Sequence, residues 1–185
     1  MQAASCHVSL GQALLANGQT QRGGDELVLA VQLTPAPLYL SYLGDALTLS
    51  ARNYPEAIVV YRRALEGAHA SGGSVSNSLA SDFYAKLARA QIFAGSLDEA
   101  SRAIETGKRL AITNPRLWVV DAFLQWKRKN WDGARYSLRT VMEMTGTTAQ
   151  VAGLVGYYWG DAREIGRLLA DLKAPPTPSP AHPIG

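Results

Sequence analysis

The chain has 185 residues, of which 47% are hydrophobic, 18% charged and 8% aromatic, and its formal net charge is +3. This composition is typical of a soluble globular protein, and no apolar run approaches the ~20 residues that a membrane-spanning helix needs. A single cysteine excludes an internal disulfide framework, and three scattered histidines lack zinc-site spacing, so we expect neither a metal nor a cofactor.

A motif of small and apolar residues recurs along the chain. It reads LGQAL from Leu10, LGDAL from Leu43 and LARAQ from Leu87, and a related WVVDAFLQ begins at Trp118. A further small residue follows each copy, and these are Gly23, Ala57, Ala100 and Ala134. The distance in sequence is 34 residues from Gly23 to Ala57 and from Ala100 to Ala134, whereas it is 43 residues from Ala57 to Ala100. The sequence therefore predicts four repeated units, with extra residues in a Ser/Gly-rich stretch after the second.

Each unit contains two amphipathic stretches with apolar residues at helical spacing. In the second unit these are Leu40, Leu43 and Leu47, followed by Ile58 and Tyr61. The turns between the two stretches are short and polar, which allows only antiparallel helix pairs. The recurring glycines and alanines are expected to let paired helices approach closely, which offsets the cost of glycine within a helix.

This pattern resembles the tetratricopeptide repeat family over residues 4–148, with a degenerate continuation to about 173. Four motifs in a 34-residue phase carry the resemblance, together with Pro35 and Pro115 near unit ends. It implies an all-α fold, a right-handed solenoid of ten helices in antiparallel pairs. The units would span 4–36, 37–70, 81–114 and 115–148, with a capping helix pair at 149–173, an inter-repeat loop at 71–80 and a Pro-rich tail at 174–185.

The sequence contains no recognisable catalytic motif, because it has neither a glycine-rich phosphate loop after a strand nor a G-x-S-x-G motif. We therefore expect a protein that is not an enzyme. The segment 101–140 is basic, because it contains nine Lys/Arg residues and only three Asp/Glu residues. Such a stretch attracts nucleic acid or acidic protein segments, but without a recognition motif a solvated helix surface is the favoured interpretation.

The family resemblance also implies where a partner would bind, because the first helix of each unit lines the concave face. We predict a partner-binding groove that becomes aromatic and cationic toward its C-terminal end. Its residues are Asp45, Leu49, Arg89, Ile92, Phe93, Arg116, Val119, Phe123, Trp126 and Lys127. For Phe123 and Trp126, core packing between units is the alternative. The lysine and asparagine clamp that some family members use for chaperone tails is missing, since Val8 and Gln12 occupy the matching first-unit positions.

The predicted function is a non-catalytic scaffold, a bacterial-style adaptor or assembly factor. Its partner would be another protein that presents an extended or amphipathic helical segment with acidic residues. The alternative is a fixed structural subunit of a larger assembly, in contact through the convex face, the loop and the tail. Nucleic-acid binding through 101–140 is a third, disfavoured hypothesis. The expected location is the cytoplasm, or the periplasm if an N-terminal signal has been removed.

Overall fold

The computed structural model describes residues 2–70 and 75–159, and in these residues the chain forms nine α-helices and no strand. They are α1 (Gln2–Ala16), α2 (Thr20–Leu33), α3 (Pro37–Leu49), α4 (Tyr54–Ala70), α5 (Asn77–Phe93), α6 (Leu97–Leu110), α7 (Pro115–Lys127), α8 (Trp131–Thr145) and α9 (Thr148–Trp159). The prediction of an all-α fold is confirmed. The expected tenth helix and the tail at 174–185 lie outside the described residues. No described helix is long and apolar enough to cross a membrane.

Local sequence signals start several of these helices. Pro37 and Pro115 occupy the first turns of α3 and α7, where the missing N–H of proline costs nothing. The Asn114 and Asn130 side chains cap α7 and α8 by accepting hydrogen bonds from backbone N–H groups. The helix boundaries are therefore encoded in the residues that flank each amphipathic stretch.

The turn within each helix pair contains one residue in the left-handed region. These residues are Gly18 (φ 74°), Arg52 (φ 52°), Gly95 (φ 82°) and Lys129 (φ 59°). They occupy equivalent positions in the four pairs, so the turn between the two antiparallel helices has the same backbone conformation at this residue in each pair. Two pairs use glycine, which adopts this conformation without strain, and two use a residue that does so at a cost.

Replacing Lys129 by glycine is therefore expected to raise the unfolding free energy by about 1 kcal/mol, because it relieves that cost. Arg63→Gly is the matched control, since Arg63 is an exposed residue inside helix α4. There glycine should lower the unfolding free energy by a similar amount. Urea denaturation of both variants measures the difference, and a loss of stability at both positions would contradict the assignment of strain to Lys129.

Glycines inside the helices lie where two helices touch. A Cβ atom built on Gly44 would lie 2.5 Å from Cε1 of Tyr61 on the paired helix, and one on Gly23 would lie 2.7 Å from Cγ of Leu15. At the equivalent position of α6, Ala100 is fully buried. The expectation that small residues allow close helix packing is confirmed.

The buried side chains form two clusters. The larger extends from Val31 on α2 to Tyr158 on α9 and includes all of the helices between them. The smaller joins Val8 on α1 to Leu27 and Ala30 on α2 and to Ala46 on α3. Helix α1 is therefore attached to the rest of the chain mainly through this smaller cluster.

The extra residues of the middle repeat lengthen two helices as well as the connection between them. Helices α4 and α5 each have 17 residues, and α5 begins at Asn77. The loop predicted at 71–80 therefore ends too late, because residues 77–80 are helical. The physical reason is a cap: the Ser76 hydroxyl accepts a hydrogen bond from the backbone N–H of Leu79 at 3.2 Å.

Candidate binding groove

The first helices of three units and α9 surround a cleft of about 460 Å³. The lining residues are Leu38, Tyr42 and Asp45 of α3, Leu79, Asp82, Phe83 and Lys86 of α5, Arg116 of α7, and Leu154, Tyr157 and Tyr158 of α9. We call this cleft the first-helix groove. Its walls combine aromatic rings with two acidic and two basic side chains, so it offers both apolar and polar contacts to a ligand.

A hydrogen-bond network fixes Asp45 at one end of the groove. Its carboxylate accepts hydrogen bonds from the Tyr61 hydroxyl at 2.8 Å and from Lys86 Nζ at 2.6 Å. Lys86 Nζ also donates to the Ser41 hydroxyl at 2.8 Å. Burial, and then the charge of Asp45, raises the pKa of Tyr61 well above its ordinary value, so this hydroxyl keeps its proton and donates. The network ties α3, α4 and α5 together.

A second ion pair links successive units on the opposite side of the groove. Arg116 Nη1 donates to both oxygens of Asp82, at 3.1 and 2.9 Å, and the two residues are 34 positions apart. Asn114 Nδ2 donates to Asp82 as well, at 2.7 Å. About half of the Arg116 side chain remains exposed. This guanidinium is therefore held in place while it stays accessible from the groove.

Arg89 lies beneath α9, outside the residues that line the groove, and is only 4% exposed. Its guanidinium carbon is 5.1 Å from the centre of the Tyr157 ring and 5.7 Å from those of Tyr158 and Phe93. Within the part of the chain that the structure describes, its Nε and Nη1 atoms have no hydrogen-bond partner. Burial, and then the charge of Asp45, raises the pKa of Tyr157 to about 12, so the rings that cover Arg89 carry neutral hydroxyls near pH 7.

Aromatic side chains continue from Arg89 toward the end of α7. The Phe93 and Phe123 rings are 5.2 Å apart, and Phe123 and Trp126 are 6.2 Å apart. Lys127 Nζ lies 4.8 Å from the centre of the Trp126 ring. The structure thus brings together five of the predicted site residues, from Arg89 to Lys127, in one continuous cluster.

The predicted site residues differ in accessibility. Asp45 and Arg116 line the groove. Arg89 is buried, Phe93 and Trp126 are half-buried and Lys127 is exposed, and these four residues lie outside the groove lining. Ile92, Val119 and Phe123 are buried in the core, so their assignment to the groove surface is corrected. They face neighbouring helices, because a first helix packs against its own unit and the next one. Leu49 is exposed at the end of α3, outside the groove lining.

Several groove residues were not among those predicted as binding residues. Lys86 follows Asp82 by four positions, so a strict helical step along α5 would have found it. The same α3 stretch that supplied Asp45 also contains Tyr42. No local signal identifies Tyr157 and Tyr158, because their place in the groove depends on how α9 packs across three other helices.

The basic stretch at 101–140 is neutralised in part in the structure. Five of its basic residues form ion pairs, and these are Arg102, Lys108, Arg116, Arg128 and Arg135. Lys108 Nζ, for example, donates to Asp121 at 2.7 Å. Among the described residues, no group of three or more His, Cys, Asp or Glu side chains is placed to hold a metal ion.

Solved structures place this architecture among known folds, although no family model and no curated protein sequence matches the chain. A tetratricopeptide repeat protein from Parabacteroides merdae superposes with a TM-score of 0.60 and 14% identity, over 93% of this chain and 68% of that chain. YrrB, described as a TPR protein with an unusual peptide-binding site, gives a TM-score of 0.56 and 15% identity, over 90% and 84% of the two chains. The chain has the tetratricopeptide-repeat fold.

The tetratricopeptide-repeat fold also occurs in a much larger structural relative. A chain of the APC/C hetero-tetramer Cut9-Hcn1 superposes with a TM-score of 0.67 and 18% identity over 83% of this chain. This chain spans only 29% of the length of that relative. The predicted α-solenoid of antiparallel helix pairs is therefore confirmed.

Proposed function

We propose that this chain is a non-catalytic protein-interaction scaffold, an adaptor or assembly factor that holds a segment of a partner protein in the first-helix groove. The observation that carries the proposal is the groove itself, a cleft of about 460 Å³ walled by four helices. It combines tyrosine rings with charged groups whose geometry is already fixed. Such preorganisation lowers the entropic cost of binding a segment.

The charges of the groove favour a partner with acidic residues. Asp45 and Asp82 are each neutralised by a cation, and the buried Arg89 beside the groove adds a positive charge that has no acidic partner among the described residues. Arg116 is the accessible cation at the groove wall and can steer an acidic segment toward it. The peptide-binding site in the description of YrrB supports a similar use of the shared fold.

Arg116→Ala is expected to weaken partner binding at least about tenfold, or ~1.4 kcal/mol. The matched control is Arg128→Ala, because Arg128 also forms an ion pair between units, with Asp98 at 2.6 Å, but does not line the groove. Cross-linking mass spectrometry identifies the partner and its contact face, and calorimetric titration measures the affinities. Equal losses in both variants, or cross-links confined to the second helices, would contradict the proposal.

The alternative is a structural subunit that is fixed in an assembly through its second helices. The observation in its favour is a set of exposed aliphatic side chains on α2 and α4, which includes Leu29, Leu33 and Val59. Leu33 is 56% exposed and Val59 54%. If this surface is the interface, Leu33→Glu rather than Arg116→Ala will abolish assembly.

A further inference from the structure

Helix α9 forms one wall of the groove in which the proposed function places the partner segment. Val151, Val155 and Tyr158 of α9 are buried, and the helix packs against α7 and α8. From there it extends Tyr157 over Arg89 of α5. A helix of the chain itself therefore covers Arg89 and the neighbouring surface of α7 and α8.

The buried face of α9 has the chemistry of a docking helix. Val151, Val155 and Tyr158 follow the spacing i, i+4 and i+7, which is the pattern by which amphipathic helices bind apolar grooves. Residues 148–159 include no charged side chain. Val151 and Val155 belong to the larger core cluster, and Tyr158 both belongs to it and lines the groove.

Two glycines weaken this helix without serving its packing. A Cβ atom added to Gly153 or Gly156 would meet nothing within 4 Å. This differs from Gly23 and Gly44, where an added Cβ would collide with a neighbouring helix. Glycine inside a helix disfavours the helical state relative to alanine, so residues 148–159 form a weaker helix than their contacts require.

The contact between α9 and Arg89 is also incomplete. α9 offers Arg89 the faces of two tyrosine rings, while the Nε and Nη1 donors of Arg89 find no acceptor among residues 2–70 and 75–159. In the same residues the buried Tyr158 hydroxyl has no hydrogen-bond partner either. Buried polar groups without partners carry a free-energy cost, which lowers the stability of the docked state.

We propose that α9 is a replaceable wall of the first-helix groove, and that the surface it covers on α5, α7 and α8 is the docking site of the partner. The fitting partner is a helical segment that presents aliphatic residues at i and i+4 and an aromatic residue at i+7. This inference rests on the proposed function and specifies both its site and its ligand. Binding then requires α9 to leave, so the apparent affinity depends on the fraction of molecules with α9 undocked.

The test uses a fluorescein-labelled peptide with the sequence of residues 147–159, titrated into three forms of the full chain. The first is the natural sequence. The second is Val151→Ala/Val155→Ala, which shortens two buried anchors of α9. The third is Gly153→Ala/Gly156→Ala, which strengthens the helix without a steric conflict. Circular dichroism confirms that each form retains its helices.

We expect opposite shifts in peptide affinity for the two variants. The valine variant should bind the peptide at least about tenfold more tightly than the natural chain, because truncated anchors release α9. The glycine variant should bind it about 20-fold more weakly, because two Gly→Ala changes favour the docked helix. Equal affinities for all three forms, or no binding to the valine variant, would overturn the inference.

The outcome for α9 is separable from the outcome for the proposed function. If the peptide affinities do not change while Arg116→Ala still weakens partner binding, α9 is a permanent wall of the groove and only this inference fails. If the peptide affinities shift as expected while Arg116→Ala leaves partner binding intact, the exchange of α9 stands and the proposed function fails.

Discussion

Phe123→Ala is expected to lower the unfolding free energy by about 3–5 kcal/mol and the melting temperature by about 6–20 °C. The Phe123 ring is 1% exposed and lies between Phe93 of α5 and Trp126 at the end of α7. Its removal would leave a cavity at the joint between two units, which the surrounding helices can refill only in part. Thermal unfolding followed by circular dichroism measures the effect.

Tyr136→Ala is the matched control for this aromatic truncation. Tyr136 lies on α8 and is 64% exposed, so most of its surface already contacts water. We expect a loss of less than about 1 kcal/mol at this position. If both variants melt at the same temperature, Phe123 does not belong to the core, and its predicted role as a partner anchor would have to be restored.

Adjacent glycines on α2 are expected to respond to alanine in opposite directions. A Cβ atom on Gly23 would lie 2.7 Å from Leu15 Cγ and 2.9 Å from the carbonyl oxygen of Gly11, whereas one on Gly24 would meet nothing within 4 Å. Gly23→Ala should therefore lower the unfolding free energy by about 1–3 kcal/mol through overpacking. Gly24→Ala should raise it by about 1 kcal/mol through helix propensity.

Urea denaturation distinguishes the two glycine variants because their midpoints should move apart on either side of the natural chain. The two residues share one helix and nearly the same distance from its ends, so each variant controls for the other. Shifts of the same sign would show that α1 and α2 do not pack as closely as the structure places them.

The fold could be predicted from the sequence because its main determinants are local and repeated. Gly23, Ala57, Ala100 and Ala134 recur at the positions where helices touch, and short polar turns separate the paired helices. The loop predicted at 71–80 extends past the start of α5 because serine and asparagine favour both loops and helix caps. At Ser76 the side-chain hydrogen bond to Leu79 selects the cap.

The binding groove could be predicted only in part. Helical steps along the first helices select Asp45 and Arg116, and both residues line the groove in the structure. The same steps also selected Val119 and Phe123, which are buried, because periodicity does not separate a groove-facing side chain from one between units. Whether the accessible residues bind a partner stays a prediction.

The two core clusters imply that unfolding is not equally cooperative along the chain, because α1 can open without the helices of the larger cluster. In a stack where each unit contacts mainly its neighbours, the free energy of opening is set by the interfaces that are broken. Opening of α1 breaks contacts centred on Val8 and Leu27 and leaves intact the larger cluster, to which α5 and α7 belong. The native ensemble therefore includes partly open molecules in which the amides of α1 exchange with solvent while those of α5 stay protected.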